Sequence, residues 1–173
     1  MKFALHDAIK ILERTPHLLQ IFLSDLPDEW IRTNEGPETW SAFDIVGHLV
    51  HGEKTDWIPR MKVILHEDVK RFMPFDRFAQ FRESEGKTLE DLLSEFADLR
   101  KQNLDILKSY TLTESDLNMT GIHPEFGDVT LKQLLATWVT HDLTHINQIS
   151  RVLAKQYKEE VGPWFRYIGV LNR

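Results

Sequence analysis

Residues 130–157 read TLKQLLATWVTHDLTHINQISRVLAKQY, and this stretch decides how the rest of the chain folds. It opens on Thr130, with Gln133 three residues later, a T-x-x-Q arrangement that satisfies free backbone N–H groups at a helix start. Apolar residues then recur at helical spacing, and Gly162 with Pro163 supplies a stop signal downstream. At about 100° per residue, Leu134, Trp138, His141, His145 and Gln148 fall on one stripe, with His145 ~40° from His141 and Gln148 ~20° from it on the other side. The helix therefore carries three polar side chains on a face otherwise suited to a core. Buried polar groups without partners cost roughly 1–3 kcal/mol each, so those side chains need either hydrogen-bonding neighbours at the edge of the core or a shared metal ion.

Three further segments have the same periodicity. The first spans about residues 3–26, with Leu5, Ile9, Leu12, Leu19, Phe22 and Leu23 on its apolar side and an expected break at Thr15–Pro16. The second begins at Ser41, where Ser41 and Asp44 form a capping-box pattern, and is expected to reach His66 with a disturbance at Pro59. The third opens on Thr88 and Asp91 and runs to about Ser109. Four long helices with few strand signals predict an all-α fold, an antiparallel four-helix bundle with irregular connections over residues 67–87 and 113–129. Residues 1–173 read as a single domain, with the apolar tail WFRYIGVLN expected to pack back on the body in an extended form.

A third ligand separates the two readings of His141 and His145. The second helix contains FDIVGHLVHGE, where His48 stands among Ile45, Leu49 and Val50, while Gly47 and Gly52 would let another helix approach closely. His51 lies ~60° away around the helix and is placed nearer the rim. His48 facing an inward His-x-x-x-His would complete a three-imidazole site with coordination positions left for water and substrate. His6, His17, His66 and His123 show no comparable pattern and read as surface or structural. HDLTH differs from the zinc-protease HExxH by having Asp142 in place of the Glu, and the paired ExxH motifs of di-iron bundles are missing.

Composition narrows the partners. Lys and Arg number 21 against 27 Asp and Glu, a formal charge of −6, which disfavours nucleic acid. The chain has no cysteine, so thiolate ligands, disulfides and cysteine nucleophiles are excluded. The first residues are interrupted by charges and do not form the apolar core of a secretion signal, and no run has the length of a membrane span. A cytoplasmic protein without a membrane is expected.

In combination, TWSAFDIVGHLVHGE, HPEFGDVTLKQLLATWVTHDLTHINQI and LERTPHLLQIFLSDLPDEW resemble the DinB-like (damage-inducible, YfiT-like) superfamily of metal-binding four-helix bundles. The resemblance covers nearly the whole chain. It implies that His48, His141 and His145 ligate a divalent metal, nickel or zinc, and that the protein is a homodimer. It further implies a metal-dependent enzyme acting on small molecules. Thiol S-transfer with a low-molecular-weight thiol cosubstrate is the leading expectation. A hydrolase and a noncatalytic stress-response metal protein are the alternatives. Asp44, one turn before His48, and Gln148, three residues after His145, are candidates to orient ligand imidazoles.

Overall fold

The computed structural model describes residues 1–172. The first helical segment is α1 (Leu5–Leu12) followed by α2 (Thr15–Leu23), with Pro16 in the first turn of α2, where its missing N–H is harmless. After a short α3 (Asp28–Arg32), the second segment is α4 (Ala42–Thr55) and α5 (Trp57–His66). The break between them falls at Asp56 rather than at Pro59. Pro59 occupies the first turn of α5, again a place that needs no donor. Then come α6 (Ala79–Glu83), the long α7 (Leu89–Ser109) and α8 (Glu114–Leu117). A β-hairpin, β1 (Thr120–His123) and β2 (Gly127–Thr130), leads directly into α9 (Leu131–Lys155).

The capping boxes expected at Ser41–Asp44, Thr88–Asp91 and Thr130–Gln133 are all formed, and Thr113–Asp116 makes a fourth at α8. Two local expectations are corrected. The hairpin was not foreseen, because each strand has only four residues and Gly121 and Gly127 read as turn signals. The tail is not extended: Gly162–Tyr167 and Gly169–Leu171 are 3₁₀ turns, while α9 ends at Lys155, close to the expected end near Tyr157. Leu171 packs into the body, while Trp164 and Tyr167 stay exposed.

The molecule is a four-helix bundle with a core in two clusters. One end gathers Leu19 and Leu23, Ile45 and Val46, Leu92 and Phe96, and Ile149 and Val152. The other gathers Leu12, Trp57 and Met61, Leu104 and Leu107, and Leu131 and Leu135. The α1–α2 layer and α9 therefore run one way, and α4–α5 and α7 run the other. Because α5 and α7 point in the same direction, residues 67–88 must return along the bundle. That crossover carries α6 past α4 and is pinned to the hairpin, with Phe72 N donating to Ile122 O at 3.0 Å and Ile122 N to Lys70 O at 2.6 Å. Gly121 is required there, since a Cβ would sit 2.6 Å from the Phe72 ring and 2.9 Å from Ile64. Gly47 likewise leaves room for Ser84 just after α6, where a Cβ would meet its Oγ at 2.5 Å. Gly52 has no such role; its nearest neighbour would be Trp57 at an ordinary 3.7 Å.

Candidate metal centre

The antiparallel pairing of α4 with α9 brings His48 to the His141–His145 face. His48 Nε2 lies 3.1 Å from His141 Nε2, and His145 Nε2 lies 3.1 Å from the same atom. One ligand atom from each of the three rings falls within 4.8 Å of the others. His48 and His145 are buried and His141 is half-buried. Trp40 covers the rings of His48 and His145, at centroid distances of 4.9 and 6.4 Å, and Trp57 meets His141 at 5.1 Å.

The other ring nitrogens decide what the cluster can bind. Gln80 Oε1 is 2.9 Å from His48 Nδ1, and Gln148 Oε1 is 2.9 Å from His145 Nδ1. A carbonyl oxygen only accepts, so both rings carry their proton on Nδ1 and turn an Nε2 lone pair inward. His141 could donate to just one of those lone pairs, and its Nδ1 is buried without a partner. Protons on these rings therefore cannot satisfy the site. A cation accepting all three Nε2 lone pairs does, and the residues fit a divalent metal.

Electrostatics favour the same state. Burial, reinforced by the neighbouring rings, depresses His48 to about 4 and His141 to about 2, and burial also lowers His145. All three imidazoles are neutral at neutral pH, the form that can ligate a metal.

Of the residues singled out in the sequence, Gln148 orients His145, whereas the Asp44 carboxylate is turned away from the rings. It accepts from Ser41 N at 2.9 Å and Ser41 Oγ at 2.6 Å, because it closes the helix cap. His51 is buried rather than at the rim. The crossover covers it, and its Nδ1 pairs with Glu83 Oε1 at 3.0 Å. Trp40 and Trp57 border the site, while Trp138 is a fully buried core residue stacked on Trp57. Gln80 was missed; it stands 32 residues from His48 on the short α6, within a segment that reads as an irregular connection, and only the crossover delivers it.

A buried ionic network sets the register of α4 against α9. Arg100 grips Asp142 in bidentate fashion, at 2.7 and 2.9 Å, and donates to Glu53 Oε1 at 2.9 Å and to Leu12 O at 2.9 Å. Asn103 and Trp138 Nε1 donate to the Glu53 carboxylate at 2.9 and 3.0 Å. Asp142 is thus an interhelical partner beside His141, and Arg100, which holds it, ties all four helical layers together. Burial pushes the Glu53 carboxyl upward against the pull of Arg100.

A cavity of about 530 Å³ opens onto His48 and His141. Its walls include Trp40 and Trp57, Phe72 and Phe75 from the crossover, and His123 and Phe126 from the hairpin. The volume suits a small molecule.

Three imidazoles aimed at one point inside a helical bundle, beside a small-molecule cavity, define a metal-binding bundle protein. The family model described as the DinB superfamily matches residues 11–149, and the chain belongs to that superfamily. Over 154 residues it is 23% identical to "Putative metal-dependent hydrolase OB0782" of Oceanobacillus iheyensis, covering 88% of this chain and 87% of the relative. It is 26% identical over 144 residues to "Putative metal-dependent hydrolase BCG9842_B2589" of Bacillus cereus, covering 82% and 81%. Among solved structures, it matches YfiT from Bacillus subtilis with a TM-score of 0.77, at 22% identity and 90% of each chain. That protein is described as "a probable metal-dependent hydrolase with an unusual four-helix bundle topology". TT2238, a four-helix bundle protein, matches with a TM-score of 0.56 at 18% identity, over 85% of this chain and 98% of that one. Among the described residues, no helix is long and apolar enough to cross a membrane.

Proposed function

We propose that the protein is a divalent-metal-dependent hydrolase of small molecules, with His48, His141 and His145 as the metal ligands. The observation that carries this reading is the convergence of three Nε2 lone pairs, two of them fixed by Gln80 and Gln148, on the wall of a cavity. A divalent ion supplies Lewis-acid polarisation and lowers the pKa of a bound water or thiol. The protein's own contribution is to hold the three rings neutral, fix their tautomers and wall the site with Trp40, Trp57 and Phe75 against bulk water. The names of the two curated relatives support hydrolysis over thiol transfer.

Three neutral imidazoles suit nickel, zinc, iron and copper alike, and the family resemblance favours nickel or zinc among them. The reading includes one domain over residues 1–173, a homodimer and a cytoplasmic location. The test begins with elemental analysis of protein purified without a His tag, expected to give a stoichiometric divalent metal that is lost in His48→Ala. Metal far below one ion per chain, unchanged by that substitution, refutes the site. The metal-loaded protein is then assayed on ester, amide and phosphoester panels with and without added thiols. Turnover without thiol supports hydrolysis. Strict dependence on a thiol reassigns the site to S-transfer, and metal-dependent stability with no turnover on either panel reassigns it to a structural role.

A further inference from the structure

The charges around the cavity are unevenly matched. Arg60 is held by Asp56 at 2.8 Å, so that pair contributes little net charge to the wall. Asp76, the acidic neighbour of Arg77, is taken by Arg82 at 2.6 Å. Arg77 itself borders the cavity, is exposed, and forms no ion pair among the described residues. It stands two residues after Phe75, whose ring meets His48 at a centroid distance of 5.5 Å, so it lines the metal end of the cavity. The other cavity charge unpaired among the described residues, Glu125, belongs to the hairpin end, where its backbone N donates to His123 Nδ1 at 3.1 Å. Between them the walls are flat and apolar, formed by Trp40, Trp57, Phe72 and Phe75.

From this arrangement we infer that the substrate is an organic anion: a carboxylate or phosphate group bound by Arg77 at the metal end, joined to a flat apolar body lying between the aromatic walls. A guanidinium presents a planar fork that matches either group with two parallel hydrogen bonds. An arginine with no protein carboxylate to release pays no competing cost when it takes one from a ligand. The inference deepens the hydrolase reading, since it names the substrate class of that same cavity, but the contribution of Arg77 can be measured without metal.

The experiment uses the full chain, metal-free and metal-loaded, and follows quenching of tryptophan fluorescence, because Trp40 and Trp57 line the cavity. The probes are phenylacetate, phenyl phosphate and the neutral phenylacetamide. Without metal, one of the two anions is expected to bind about fivefold to tenfold more tightly than the amide, a preference that shrinks with added salt. Comparing the two anions tells carboxylate from phosphate recognition. Arg77→Gln should abolish the preference without changing amide binding or thermal stability, since Arg77 is exposed and unpaired. Glu125→Gln should leave the preference in place. Equal binding of anions and amide by the unmodified protein overturns the proposal, as does an anion preference that survives Arg77→Gln, or no quenching by any probe at millimolar concentration. Failure of the metal reading would appear separately, as absent metal with the Arg77-dependent preference intact.

Discussion

Replacing Arg100 by methionine tests whether the buried network holds the bundle together. Arg100 is 1% exposed, Asp142 0% and Glu53 2%, so water cannot take over the contacts that the guanidinium leaves. Glu53 would keep its hydrogen bonds from Asn103 and Trp138, but Asp142 would lose both of its bonds from Arg100. Leaving a buried charge without its partner costs about 3–5 kcal/mol. For a chain of this size each kcal/mol is about 2–4 °C in melting temperature, so the variant should melt roughly 6–20 °C lower. Urea unfolding followed by far-UV circular dichroism gives the free energy directly. The pH dependence has a definite sign. Burial already raises Glu53, and without Arg100 its folded value rises further above the unfolded one. A raised carboxyl binds its proton more readily in the folded state, so the variant regains stability as the pH falls from neutral toward the ordinary carboxylate range. The gap to the unmodified protein should narrow over that window. A loss below about 1 kcal/mol, or a gap that stays constant with pH, would refute the assignment of Arg100 as the clamp.

Two further predictions concern the metal centre. Gln80→Ala and Gln148→Ala each remove the acceptor that fixes one imidazole, and each should weaken divalent-metal affinity by about 10–100-fold in a chelator competition assay while the helical content is unchanged. Affinity equal to that of the unmodified protein would mean the rings are oriented by packing alone. The metal-free protein should also be acid-sensitive. Folded pKa values of about 4 for His48 and about 2 for His141 lie below the ordinary histidine value of 6.5. The unfolded chain therefore binds more protons below that value. The stability is fully present above about pH 6.5 and falls as the pH drops toward the folded values. Urea midpoints of chelator-treated protein across this range should decline, and a flat profile would contradict the burial of the rings.

Much of the bundle could be read from local patterns, because each signal acts within a few residues. The capping boxes at Ser41, Thr88 and Thr130 satisfy backbone donors three positions away, and the core stripe of α9 follows from helical periodicity. The His48, His141 and His145 cluster was legible for the same reason: two of its members lie one turn apart on a core-facing stripe, and the third stands inside another apolar run. Asp44 shows the limit of that approach. Its spacing from His48 fitted an orienting role, yet the nearer demand of the helix cap takes its carboxylate. His51 was misplaced at the rim because helix angle alone does not reveal that the crossover covers that side of α4. Glu53, Arg100 and Asn103 are charged and polar positions on amphipathic helices, and nothing nearby in the chain marks them as partners.

By itself, the sequence determined the four helical layers, most of their boundaries and the three imidazoles on inward faces, since periodicity and capping are properties of consecutive residues. Only the tertiary structure decided that α4–α5 and α7 run in the same direction, and so that the intervening chain must cross the length of the bundle. That crossover carries Gln80 to His48, Phe75 to the cavity wall and Arg77 to the metal end. The physical reason is that hydrogen bonding and charge act over a few ångströms in space, whatever the separation along the chain, and an irregular segment has no period from which its destination can be read.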